Sequence, residues 1–377
     1  MLWLANKIKY FWVMEEEIDS SGLLQINRPR PIVEEMEMIS CDKNMHPEEA
    51  VDFLADGKNV LIEDYFGTGL QVLKELSVRL KYKFDGSTFQ GQREYREVYR
   101  EYSNHLFLII DKNKLRVKKS PEIGWLQTLY PDVENFILSF PQVQGLNSSW
   151  QWHENGVNIP MLRNKIKPFY GVYFPNRFEH LQLFDNWLKR YEGAKKTAID
   201  VGIGCGVLAL QMTKYGFQKV YGTDTNPNAI VGMQMYMEGT KLARKIDLAH
   251  GSLFADNKKK TELIVFNPPW LPATQDLDQL DEAIYYPKDL FSNFFEEAVN
   301  HLTKDGRLVM LFSNLAKITG VTETHPIEEE LATGGRFKKS LLLHKKVKLA
   351  SKDTKRNQNW REEEVVELWV LELIDKE

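Results

Sequence analysis

Three glycines, one carboxylate and one tetrapeptide hold most of the chemistry available to this sequence. The stretch Ala198-Ile-Asp-Val-Gly-Ile-Gly-Cys-Gly-Val-Leu208 sets Gly202, Gly204 and Gly206 between two apolar runs. A strand that ends in glycines and turns into a helix binds ligands at its carboxyl end. The glycines admit close approach, and the helix N–H groups face the ligand's polar end. The spacing is Gly-x-Gly-x-Gly, whereas a dinucleotide fingerprint wants its third glycine where Val207 stands, which disfavours a nicotinamide cofactor. Eighteen residues past Gly206, Asp224 closes the next apolar run, where a carboxylate can accept both hydroxyls of a ribose.

A fourth apolar run ends Leu263-Ile-Val-Phe-Asn-Pro-Pro-Trp270. An amide or exocyclic amine nitrogen is a poor nucleophile because its lone pair is delocalised, and it improves when its hydrogens are held out of plane. The side-chain oxygen of Asn267 and the carbonyl of Pro268 can accept those two hydrogens and place negative potential against a nitrogen that becomes positive. Pro268 and Pro269 fix φ and stiffen the turn. Trp270 offers a flat face to a planar target.

These residues need a scaffold that brings strand ends together. From about residue 170 short strands alternate with helices, the pattern of a parallel sheet with right-handed crossovers. Strands are expected at 197–201, 219–223, 246–249, 262–266 and 307–312, and helices at 207–215, 227–238 and 290–302. Residues 340–349 and 365–373 alternate at period two around a charged connection, predicting an antiparallel hairpin at the sheet edge.

The ordered set resembles the class I S-adenosylmethionine-dependent methyltransferases that carry an Asn-Pro-Pro-aromatic motif. Asp200 matches the acidic residue before the glycines, Gly202, Gly204 and Gly206 the loop, and Asp224 the ribose-binding acid. Where that family often has Gly-Asp-Leu-Phe after its third strand, this chain has Gly251-Ser-Leu-Phe254, so the resemblance gives Ser252 and Leu253 the place beside the adenine. It implies a Rossmann-like α/β sheet of seven strands with the last antiparallel, S-adenosyl-L-methionine as cofactor, and acceptors that are glutamine side chains or base amino groups. Upstream, Pro175, Arg177 and Glu179 are similar, in altered spacing, to the Pro-Arg-Pro-Glu-Thr segment of the glutamine N5-methyltransferases. The likeness covers about residues 168–315.

The N-terminal half reads as α+β. A helix over 46–55, a strand at 60–62, a helix over 70–80, a hairpin of 106–110 with 115–117, and a second hairpin of 150–152 with 157–159 are expected. Phe66-Gly-Thr-Gly-Leu70 lacks the Lys-Ser/Thr of a phosphate loop and reads as a helix-entry turn. Trp125, Trp150 and Trp152 read as core aromatics rather than base-stacking platforms. The division expected is residues 1–165 as a recognition domain and 166–377 as the catalytic domain.

Composition bounds the rest. The 377 residues are 43% hydrophobic and 27% charged with a net charge of −4, which excludes a uniformly basic nucleic-acid coat and extensive disorder. Two cysteines, Cys41 and Cys205, exclude a disulfide framework and fit a reducing, cytoplasmic setting. Cys205 reads as a small packing residue. No histidine spacing suggests a metal site. Residues 1–14 read as an amphipathic docking segment and no run is long enough to span a bilayer. The basic run from Lys345 to Arg361 could touch phosphates, while Asp276, Asp278, Asp281 and Glu282 would line the acceptor entrance with negative charge. The expected activity is methyl transfer to a planar nitrogen, with a glutamine of a translation protein preferred over an RNA or DNA adenine-N6 or guanine-N2 group. A non-catalytic methyltransferase-like binding module is the reading that Ser252 favours.

Overall fold

The computed structural model describes residues 7–8, 24–85, 89–273, 285–347 and 363–374. The docking segment 1–14, most of the basic run and the four acids of the 271–288 loop lie outside the described residues or largely so. The chain divides into two compact units: residues 1–23 with 28–154, and residues 24–27 with 155–377.

The first unit is a mixed sheet with helices. Its elements are β1 (Lys7–Ile8), β2 (Met38–Cys41), α1 (Pro47–Ala55), β3 (Val60–Ile62), α2 (Phe66–Lys83), α3 (Phe89–Ser103), β4 (Leu106–Asp111), β5 (Lys114–Leu115), α4 (Trp125–Thr128), β6 (Phe136–Ser139) and α5 (Phe140–Asn155). Strand order is β1-β2-β3-β4-β5, with β6 also on β4. The β4–β5 hairpin forms as expected, and Lys112 and Asn113 at its tip both have positive φ, as a tight two-residue turn requires. Phe66-Gly-Thr-Gly-Leu70 opens α2, and a Cβ on Gly69 would sit 2.2 Å from the Phe140 ring, so close packing explains that glycine.

The expected second hairpin is instead the end of α5. Val143, Leu146, Trp150 and His153 recur at helical spacing, which overrides the local alternation of Trp150 and Trp152. Trp125 is buried and meets Trp150 edge-on at 5.2 Å, whereas Trp152 is exposed. Gly156, with φ +64, ends the helix, and Val157 pairs with Ile166 rather than with the tryptophan segment.

The second unit contains α6 (Glu179–Leu188), β7 (Thr197–Val201), α7 (Val207–Lys214), β8 (Lys219–Asp224), α8 (Pro227–Met237), β9 (Ile246–His250), β10 (Thr261–Phe266), β11 (Leu271–Pro272), β12 (Tyr285–Tyr286), α9 (Leu290–His301), β13 (Leu302–Ser313), α10 (Leu315–Ile318), α11 (Pro326–Glu329), β14 (Phe337–Lys346) and β15 (Val365–Leu373). Seven strands form one sheet in the order β14-β15-β13-β10-β7-β8-β9. All neighbours are parallel except β15, which runs antiparallel to both β13 and β14. The sheet is Rossmann-like with its last strand, β15, antiparallel, as the resemblance implied. The final two strands pair as expected, but β15 lies inside the sheet and only β14 is at the edge. Its run Val366–Leu371 is buried throughout, a composition suited to an inner strand, while β14 carries exposed lysines.

Alternation along each strand builds two cores. Ala198, Leu263, Val265, Val309 and Leu311 pack with α6, α7 and α8, while Ile199, Ile264, Phe266, Leu308, Met310 and Phe312 pack with α9. Phe294 and Phe295 of α9 are buried, each contributing about 2–3 kcal/mol from apolar burial. The chain leaves β7 toward β8 on one side, and β10 lies on the other. The carboxyl ends of β7 and β10 therefore flank the switch point where open α/β sheets bind ligands.

Candidate active site

The glycine loop is held from beneath. Ile203 is buried, and its N–H donates to the Thr223 carbonyl at 2.8 Å, tying the loop to β8. Gly206, with φ +79, turns the chain into α7, a conformation that costs a residue with a Cβ about 1–2 kcal/mol. Gly202 and Gly204 leave open space above them. A Cβ on Gly202 would meet only the Phe266 ring edge at 3.7 Å, and one on Gly204 only the Tyr173 carbonyl at 3.9 Å.

Asp200 sits below the loop. One carboxylate oxygen accepts the Ala209 N–H at 2.8 Å, joining β7 to the first turn of α7. The other is buried without a partner. Burial pushes this carboxyl well above the ordinary carboxylate range, and the charge of Asp224 adds to the shift. Asp224 ends β8 with its Oδ2 accepting the Gly204 N–H at 2.8 Å and its Oδ1 accepting the Asn226 N–H at 2.8 Å. The Asp224 carbonyl in turn accepts the Gly251 N–H at 2.9 Å, so the loop after β9 is anchored to the same residue. In that loop Leu253 has φ +48 and its carbonyl accepts the Thr223 hydroxyl, while Ser252 is exposed.

Asn267-Pro-Pro-Trp270 leaves the end of β10 beside this loop. Phe266 pairs with Val201, so Asn267 and Gly202 are the next residues of two adjacent parallel strands, whose axes lie about 5 Å apart. Asn267 is half-buried and its Oδ1 accepts the indole N–H of Trp270 at 3.3 Å. Pro268 is buried, Pro269 half-buried, and Leu271–Pro272 pairs with Tyr285–Tyr286 to brace the segment beyond them. Trp270 packs against both cores, and the His180 ring meets it edge-on at 5.4 Å.

His180 has no signal in the sequence. It is buried on α6 with Nδ1 unpartnered, and burial lowers its pKa to about 4, so the imidazole is neutral near pH 7. Asn226 and Asn228 were equally unmarked, although Asn226-Pro-Asn has the form of a helix start, and the Asn226 side chain does cap α8 by accepting the Asn228 N–H. Arg177 pairs with Glu364 at 2.9 Å, and the buried Glu179 carboxylate accepts the Phe178 N–H at 3.1 Å. Burial raises the Cys205 thiol to about 12, which keeps it protonated and unreactive.

Residues 182–338 match the family model of the methyltransferase small domain. The chain is similar to a protein of Methanocaldococcus jannaschii named provisionally as a protein N5-glutamine methyltransferase, with 30% identity over 137 residues, 34% of this chain and 66% of that protein. It is also similar to the ribosomal protein L11 methyltransferase of Vibrio parahaemolyticus, with 36% identity over 62 residues, 16% of this chain and 21% of the relative. The chain thus spans less than two thirds of the length of either. Among solved structures, a ribosomal protein L11 methylase from Lactobacillus delbrueckii subsp. bulgaricus aligns over 54% of this chain and 82% of its own, at 22% identity and a TM-score of 0.36. No helix among the described residues is long and apolar enough to cross a membrane.

Proposed function

We propose that the protein is an S-adenosylmethionine-dependent N-methyltransferase acting on a planar nitrogen, with the glutamine side chain of a translation protein as acceptor. One observation carries this reading: the register of β10 on β7 sets Asn267 beside Gly202, so a donor on the glycine loop and an acceptor at the tetrapeptide would meet.

The residues present suit that donor. The unpartnered buried oxygen of Asp200 can receive a hydrogen bond, the open faces of Gly202 and Gly204 leave room against the backbone, and Asp224 is a carboxylate at a strand end. Asp200, Gly202, Gly204, Gly206 and Asp224 would hold it, with Ser252 and Leu253 beside its base. Bound there, S-adenosylmethionine supplies an electrophilic methyl group whose sulfonium makes transfer favourable without a strong general base. Asn267 and Pro268 accept the two N–H bonds of the acceptor through their oxygens, Pro269 keeps the turn rigid, and Trp270 orients the Asn267 amide. Catalysis by this set is mostly alignment.

The name of the archaeal relative supports glutamine over a base amino group. Residues 1–165 would recognise the partner. Ser252, exposed where the family often has an acid, favours the second reading, a non-catalytic binding module. Incubating a cell lysate with methyl-labelled donor and full-length protein, then separating protein from nucleic acid, tests the proposal. Label recovered as N5-methylglutamine is the expected result. Label in nucleic acid would replace the acceptor, and none at all would favour the binding module.

A further inference from the structure

Asn228 is fully buried at the start of α8, yet its side chain does not face the sheet's apolar partners alone. Its Oδ1 accepts the backbone N–H of Asn27 at 2.7 Å, and its Nδ2 donates to the carbonyls of Asn27 and Tyr170, each at 2.7 Å. One amide therefore grips both polar groups of residue 27, as the edge of a neighbouring strand would, across 201 positions of sequence. Leu24 packs on the core that α8 shares, so residues 24–27 lie on this unit as a strap with an apolar and a polar anchor.

The strap is wired to the donor carboxylate. Asn226 donates its N–H to Asp224 Oδ1 at 2.8 Å, and its own Oδ1 accepts the Asn228 N–H at 3.0 Å and the Asn27 side-chain amide at 3.4 Å. Its Nδ2 donates to the Gly171 carbonyl at 2.9 Å. Segments 24–27, 170–171 and 224–228 thus share one hydrogen-bond network, and the second of them continues to Tyr173, whose carbonyl faces Gly204. A buried polar network with every member satisfied is rigid, and a break at one point leaves several groups unpaired.

We infer that residues 24–27 are part of the donor site: Asn228 is a positioning residue that clamps the strap, and through Asn226 the clamp fixes the Asp224 carboxylate for the donor's ribose. This rests on the proposed donor. By linkage, whatever the strap gives to donor affinity, bound donor returns to the strap as protection of the Asn27 N–H.

The test uses the full chain, calorimetric titration with S-adenosylmethionine, and amide hydrogen exchange at Asn27. Asn27→Pro removes the N–H that Asn228 accepts, and Asn228→Ala removes the clamp. The expected result is donor affinity about tenfold or more weaker in both variants, and slower exchange at Asn27 when donor saturates the wild type. If Asn228→Ala fails to fold, Asn27→Pro decides alone. Full donor affinity in Asn27→Pro, or Asn27 exchange indifferent to donor, would overturn the clamp. A wild type that binds no donor would overturn the proposed function instead.

Discussion

The indole N–H of Trp270 donates to the amide oxygen of Asn267 at 3.3 Å, joining the two ends of the tetrapeptide. Of the aromatic residues with a flat face, only tryptophan places an N–H there with a large apolar body. The bond sets which way the Asn267 amide points and leaves the oxygen a second lone pair for an incoming N–H. Replacing Trp270 by Phe keeps packing on both cores and on His180 but deletes the donor. Turnover is expected to fall about three- to tenfold, the worth of one net hydrogen bond, while calorimetry shows donor affinity unchanged.

His180 gives the fold an acid-sensitive point. Its pKa falls from 6.5 to about 4 through burial, so between those values the unfolded chain binds a proton that the folded chain refuses. Stability then rises with pH across that window and is lost as pH falls through it, by roughly 3 kcal/mol from this one group. His180→Phe, which keeps a ring against Trp270, should flatten the stability profile between pH 6.5 and 4. Denaturant titrations at four or five pH values measure it, and an unchanged slope would mean the imidazole is not the group responsible.

Asp200 shows the opposite sign. Its carboxyl is raised by burial, so above the ordinary carboxylate pKa the unfolded chain sheds a proton that the folded chain holds, and stability declines as pH rises toward the folded-state value. Asp200→Asn retains an acceptor for the Ala209 N–H and removes the buried titrating group. Without donor, the melting temperature at pH 7 should rise. With donor, affinity should drop about tenfold, because an amide has a single oxygen and, with that oxygen on the Ala209 N–H, offers the donor no second acceptor. Melting curves with and without S-adenosylmethionine separate the two effects.

The loop glycines differ in what surrounds them. Gly204 and Gly206 both have positive φ, but a Cβ on Gly206 would lie 2.4 Å from the Met233 thioether, whereas one on Gly204 meets nothing closer than 3.9 Å. Both alanine variants carry the backbone penalty of about 1–2 kcal/mol, and Gly206→Ala adds displacement of Met233. Urea unfolding should rank Gly206→Ala as the less stable variant.

Strand identity in the small domain was legible because each strand is a short apolar run bounded by glycine, proline or an acid, and the motifs fell at strand ends. The inner position of β15 follows from Val366–Leu371 being buried on both faces, a feature that period-two alternation hides. Trp150 and Trp152 misled because two aromatics at i and i+2 suggest a strand, while the helical repeat from Val143 to His153 is visible only over a longer window. Asn27, Asn228 and His180 could not be read at all, since their roles come from partners distant in the sequence.

Single-turnover methyl transfer by Asn267→Ala, measured beside calorimetric donor affinity, addresses the acceptor site most directly. The substitution removes the oxygen that holds an acceptor N–H, which costs about 3–4 kcal/mol when such a group acts only in the transition state. Donor affinity within twofold of the wild type with transfer slower by about a hundredfold or more is the expected result. Transfer at the wild-type rate would contradict the assignment of Asn267 and, with it, the proposed chemistry.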